Sequence, residues 1–249
     1  MPNGMFVIVD GIDGSGKGTI TDALATREAA RGARILDLRT FAQQQHRLPE
    51  PEECTNYDVL LSAEPTHAWI GRAIRDEIVR ANDRAYGALR TAELFALDRL
   101  VLYRRVLLPA LARGTHVIQE RSVTSSLVYQ PIQAEPVHID ALTALEGNAF
   151  ALAHPPTLCM IVSTEPPRAL QRLQLRSGKQ DNAIFERLPI LQNLHARYHS
   201  SWFQELLTSH GWRVAHLDAN GAVEDAVAHA CAAWDAATQK TPAQAHASA

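Results

Sequence analysis

From position 11 to 19 the chain reads Gly11-Ile12-Asp13-Gly14-Ser15-Gly16-Lys17-Gly18-Thr19. A run of such small residues lets successive backbone N–H groups turn inward toward a crowded anion. A helix opening after it adds the positive end of its dipole, and a lysine there bridges the outer phosphate oxygens. The spacing from Gly11 to Gly16-Lys17 fits the phosphate-binding loop that takes nucleoside triphosphates. Gly11, Asp13, Gly14, Ser15, Gly16, Lys17, Gly18 and Thr19 therefore form the candidate cofactor-binding stretch. In this loop type a Ser or Thr directly after the lysine holds Mg²⁺. Here glycine occupies position 18, so Thr19 is the hydroxyl expected on the metal. The cofactors implied are ATP and Mg²⁺, with ATP favoured over GTP because no Asn-Lys-x-Asp segment follows.

Elements must bring other charges to that loop. Phe6-Val7-Ile8-Val9 reads as a buried parallel strand ended by Asp10-Gly11, and Thr19 to Arg31 as a helix stopping at Gly32. Further strands are expected at Arg34–Leu38, Val59–Ala63, Thr115–Gln119, Pro156–Ser163 and Trp212–Leu217. Helices are expected from a Thr66 cap through Ile78, from Ala88 to Arg113, up to Arg176, and from Val223 to Ala236. Strands alternating with helices predict an α/β fold in three layers, a mostly parallel sheet covered on both faces. Sites in such sheets gather at the carboxyl ends of the strands. The glycine loop, Glu64 and Glu120-Arg121 each follow a strand, so all three are expected on one edge.

The polar text from Thr40 to Tyr57 reads as a surface insertion loop, and Ser177 to Asn182 as a lid tip between two helices. The organisation expected is one kinase-sized domain over residues 1–237 with a mobile lid near 172–186, then a disordered tail over 238–249.

Bulk properties exclude several classes. A formal charge of −3 over 249 residues argues against a nucleic-acid polymer or a membrane surface as partner. No stretch approaches the roughly 18 apolar residues of a membrane span, which makes a cytoplasmic enzyme the expectation. The 11 histidines and 3 cysteines lack metal-ligand spacing, so a zinc site is not expected and Cys54, Cys159 and Cys231 read as free thiols. Trp202 and Trp212 read as packing residues.

Several segments together resemble the thymidylate kinase family of P-loop nucleoside monophosphate kinases. They are Asp10 to Lys17, Glu93-Leu94-Phe95-Ala96-Leu97-Asp98-Arg99, Pro109 to Gly114, Ser125-Ser126-Leu127-Val128-Tyr129-Gln130, and Arg172 to Glu186. The resemblance implies that Lys17 contacts the donor phosphates and that Asp13 lies near the acceptor sugar. It implies that Arg99 approaches the base and acceptor phosphate, that Arg121 binds that phosphate, and that Glu120 stands at the magnesium. Ser126 and Gln130 are implied near the base, and the lid arginines Arg172 and Arg176 at the transferring group. It also implies a homodimer packed through long helices. Two segments depart from the family: Ser62-Ala63-Glu64-Pro65 stands in place of Thr-Arg-Glu-Pro, and Glu120-Arg121-Ser122 in place of Asp-Arg-Tyr. Both also resemble the deoxyribonucleoside kinases.

The two acceptors need different chemistry. A nucleoside 5′-hydroxyl must lose a proton, which would make Glu64 a general base. A monophosphate oxygen is already anionic and needs arginines rather than a base. Arg72 and Arg75 are candidates for such a clamp, although each also fits a solvated helix face. Glu64 also fits an idle helix-start carboxylate. A third reading is a regulator that hydrolyses ATP with no acceptor. The central and Tyr129-Gln130 segments weigh toward the monophosphate.

Overall fold

The computed structural model describes residues 4–80, 84, 86–133, 135–175 and 186–240. Six strands occur in chain order: β1 (Phe6–Asp10), β2 (Ile35–Asp37), β3 (Val59–Ala63), β4 (His116–Glu120), β5 (Leu158–Ser163) and β6 (Val214–Asp218). The helices are α1 (Lys17–Ala30), α2 (Leu38–Gln45), α3 (Trp69–Ala73), α4 (Ala88–Leu102), α5 (Leu108–Ala112) and α6 (Val123–Tyr129). They continue with α7 (Ile139–Ala144), α8 (Glu146–Leu152), α9 (Pro166–Gln174), α10 (Leu188–Tyr198), α11 (Ser201–Ser209) and α12 (Val223–Lys240).

All strand pairings are parallel, in the order β2-β3-β4-β1-β5-β6. Successive side chains along a strand point to opposite faces, and that alternation divides the core in two. Phe6, Ile8, Leu60, Val117, Cys159 and Ile161 face one cluster, shared with Leu102, Leu127, Leu191 and Phe203. Val7, Val9, Leu61, Ile118, Met160 and Val162 face the other, closed by Leu24 of α1 and Trp234 of α12. The three-layer α/β arrangement expected from the sequence is present. After β1 the chain moves out to β2 and returns through β3 to β4, then crosses β1 to reach β5. The reversal opens a crevice at the carboxyl end of β1, and the glycine loop lies there.

Some local expectations change. Residues 40–57 are not an irregular insertion: α2, capped by the Asp37 side chain, runs into the stretch as far as Gln45, and a 3-10 turn spans Pro51–Cys54. Leu38, Ala42, Leu48 and Cys54 bury into the core, which holds the segment against β3. Thr66 caps no helix, because its hydroxyl and N–H both bond to Asp98 at 2.7 Å. The long helix after Gly87 widens into a π-helical turn over Tyr103–Leu107 before α5. Pro109 explains it, since a proline ring collides with the carbonyl four residues back in a straight α-helix. Helix α12 runs past Thr238 to Lys240, and the rest of the expected tail lies outside the described residues.

Gly147 of α8 lies so close to α4 that a Cβ there would overlap the Ala96 carbonyl oxygen. Gly147→Ala therefore forces the two helices apart, an overpacking cost of about 1–3 kcal/mol. Urea denaturation should show that loss; an unchanged midpoint would refute the close approach.

Candidate active site

The glycine loop folds as it does because its backbone enters regions that side chains disfavour. Gly14 has φ 78°, and a Cβ on it would strike the Ala169 carbonyl of α9. Gly16, at φ 97°, caps α1 without a side-chain acceptor, so the first N–H groups of that helix remain for a ligand. Lys17 is only 5% exposed. Its Nζ donates to the Ile12 carbonyl at 3.1 Å and lies 3.6 Å from Asp13 Oδ1. Burial and the nearby Arg121 cation lower the ammonium pKa, against the pull of Asp13, Glu120 and Asp10. Ser15 Oγ is buried with no hydrogen-bond partner among the described residues, an atom suited to a ligand or water.

Asp10, fully buried at the end of β1, is the hub of the neighbouring wall. It accepts from Gly11 N at 2.8 Å, from Tyr198 OH at 2.9 Å, and from Thr124 and Ser125 of α6. Arg121 follows β4 with φ 65°, a left-handed backbone costly for a side-chain-bearing residue, and its N–H is tied to Val9 O at 3.0 Å. The guanidinium pairs with Asp13, donates to Ser125 Oγ at 2.9 Å and covers the Tyr129 ring at 5.2 Å. Tyr129 OH also donates to Asp13, at 3.1 Å.

Behind this wall lies a sealed ion pair. Glu64 is 3% exposed and Arg99 1%. Arg99 Nε and Nη2 reach Glu64 Oε2 at 2.8 and 2.7 Å, and Gln119 Nε2 donates to Oε1 at 2.8 Å. The remaining Arg99 donors go to Asn148 Oδ1 and Ser126 Oγ. Burial pushes the Glu64 carboxyl up to about 7, with the Arg99 guanidinium opposing.

The crevice thus brings together Asp13, Lys17, Glu120 and Arg121, as the strand-end rule expected. Glu120 faces Gly18: a Cβ built there would lie 3.3 Å from Glu120 Oε2, and no described residue bonds that carboxylate. Arg172 of α9 rests on the loop, donating to Ser15 O at 3.3 Å and Ala219 O at 2.8 Å. Gln130 is buried, with Oε1 unpartnered among the described residues. Arg176 and the lid tip fall outside the described residues.

Other expectations are corrected. Thr19 is exposed, because two residues of α-helix turn it roughly 200° away from Lys17. Arg99 is not open to an acceptor phosphate; it is committed to Glu64, and Ser126 is committed to it. Arg72 is exposed and paired with Asp76 at 3.3 Å. Arg75 takes the inward place, donating to the Pro65 and Thr66 carbonyls, with burial lowering its pKa to about 10. It stands four residues after the buried Gly71, near the same helical face, a burial that the sequence does not show. Among the described residues neither Arg75 nor Arg172 has an acidic partner at ion-pair distance. Gln119 and Asn148 carried no sequence signal, since each matters only through what it touches.

The chain is similar to known proteins over most of its length. A family model described as thymidylate kinase matches residues 42–229. The chain is 30% identical over 231 residues to a thymidylate kinase of Cereibacter sphaeroides, covering 92% of this chain and 94% of that one. It is 29% identical over 227 residues to one from Lactobacillus delbrueckii subsp. bulgaricus, covering 90% and 92%. A probable thymidylate kinase of Pyrococcus abyssi is 33% identical over 193 residues, covering 76% and 78%.

Removing Arg99 strands a buried carboxyl. Arg99→Met should cost about 3–5 kcal/mol. A carboxyl whose pKa is higher folded than unfolded contributes stability that is complete below its unfolded pKa and lost as pH rises through the folded value. The deficit of Arg99→Met relative to wild type should therefore be larger at pH 8 than at pH 5. Denaturation at both pH values checks it, and an equal deficit would contradict the pairing.

Proposed function

The chain belongs to the thymidylate kinase family, and from that premise we propose that it transfers the γ-phosphoryl group of ATP to thymidine monophosphate, forming the diphosphate. One observation carries the choice of acceptor. Both Glu64 oxygens are taken, by Arg99 and Gln119, behind a 3% exposed surface, so Glu64 is not placed to remove a proton from a nucleoside 5′-hydroxyl. An acceptor that is already anionic needs no such base.

In this reading the loop amides and Lys17 hold the donor phosphates, with Arg172 and Arg176 reaching the transferring group. Arg121 offsets the repulsion between donor and acceptor phosphates, and Asp13 orients Arg121 while facing the acceptor sugar. Arg75 and Gln130, whose Oε1 has no partner among the described residues, face the acceptor from the β3 and α6 sides. Ser126 and Arg99 act through Glu64 by fixing the floor of the pocket. The Glu120 carboxylate, without a bonded partner among the described residues, is a hard oxygen donor of the kind Mg²⁺ takes together with nucleotide phosphates, so the residues present fit the ion. Magnesium, when bound, neutralises charge on the phosphates during transfer.

The same reading includes a cytoplasmic homodimer. Leu89 and Leu97 of α4 are 42% and 46% exposed, apolar area that a second copy would cover. Among the described residues no helix is long and apolar enough to cross a membrane. A monomer mass in sedimentation would overturn the dimer.

A coupled ADP-release assay across nucleosides and monophosphates tests the activity. Turnover is expected with thymidine monophosphate and not with thymidine; the reverse would overturn the assignment. Arg121→Met should lower kcat/KM by about 10²–10³, the scale of one lost transition-state donor. An unchanged kcat/KM would remove Arg121 from the site.

A further inference from the structure

The residue after the loop lysine is glycine, and the fold shows what that leaves out. A phosphate-binding loop of this kind ordinarily offers a hydroxyl from that position to the cation carried by the nucleotide. The Cβ of a residue at 18 would lie 3.3 Å from Glu120 Oε2, beside the only carboxylate of the crevice without a bonded partner among the described residues. Position 18 is thus the place from which a side-chain oxygen would share an ion with Glu120.

No neighbour replaces it. Thr19 is exposed. Thr21 Oγ1 donates to Gly18 O at 2.9 Å, and Thr164 Oγ1 to Ser15 O at 3.1 Å. Thr124 and Ser125 donate to Asp10, and Ser122 Oγ bonds to Tyr103 OH at 3.0 Å. Ser15 Oγ, unpartnered among the described residues as is Ser62 Oγ of β3, lies toward Gly11, 3.0 Å from where a Cβ on that residue would be.

We infer that Gly18 is a metal-tuning position: the divalent cation of the bound nucleotide meets this protein through Glu120 alone, with water where a loop hydroxyl would stand. The inference rests on the nucleotide-kinase reading. Magnesium keeps several waters readily when phosphates and one carboxylate hold it, so the gap weakens the protein's grip on the ion without abolishing it. Gly18 is not at positive φ, and its nearest would-be contact is the end of a flexible carboxylate, so a serine fits there.

The experiment is an electron paramagnetic resonance titration of Mn²⁺ into the full chain saturated with a non-hydrolysable ATP analogue. Analogue binding is measured separately, with and without metal. Gly18→Ser should tighten Mn²⁺ on the order of tenfold, the scale of one added ligand-sphere partner, whereas Gly18→Ala should not. Glu120→Gln should weaken it by at least about tenfold, and Thr19→Ala should leave it as in wild type. Equal Mn²⁺ affinity in the Ser and Ala variants, or weakening by Thr19→Ala, would overturn the inference while analogue binding persists. Thr19 is exposed, so its variant still decides the matter where the Gly18 variants fail to fold. Absence of analogue binding in the wild type would instead overturn the kinase reading, and the inference with it.

Discussion

The ion pair between Glu64 and Arg99 holds one half of the crevice in one piece. The two residues are far apart in sequence, and their partners come from β4, α6 and the start of α8. Taking both charges out of water is costly, and the cost is tolerable only because Gln119, Asn148 and Ser126 satisfy the remaining oxygens and N–H groups. Asn148 in turn is fixed by donating to Leu142 O at 2.8 Å. The end of β3 is thereby locked in position relative to β4, and Arg121 follows β4 directly.

Asp10 performs the matching task for the other half of the crevice. It receives bonds from the loop, from α6 and from Tyr198 at the end of α10, so one loop and two helices register against the end of β1. Arg121 spans the two halves: its backbone is strained and held by β1, and its side chain joins Asp13 to Ser125. A strained residue persists where its surroundings over-determine it, and this one is fixed from both sides.

Much of this was legible from the chain alone. The six strands are short apolar runs bounded by turn residues, and period-two alternation is enough to assign their faces. The loop and the strand-end charges followed from position. What could not be read was pairing. Glu64 looks the same in sequence whether it is an open base or a sealed anchor, and only Arg99, Gln119 and the surrounding burial decide between them. Arg72 and Arg75 are equivalent as letters, yet one meets water and Asp76 while the other meets two carbonyls. Thr19 looked like a metal ligand because chemistry was assigned by residue type. The helical turn puts it on the wrong side.

Arg75 and Arg172 rest on backbone carbonyls rather than carboxylates. For Arg75 the Glu120 and Asp98 carboxylates act only from beyond ion-pair distance, so carbonyl dipoles supply its direct contacts. Among the described residues neither arginine has a salt bridge to break before turning from a carbonyl to a stronger acceptor. Under the proposed function nucleotide phosphates would be that acceptor, and anything that binds the folded chain alone raises its stability by mass action, so ligand binding and fold stability would rise together.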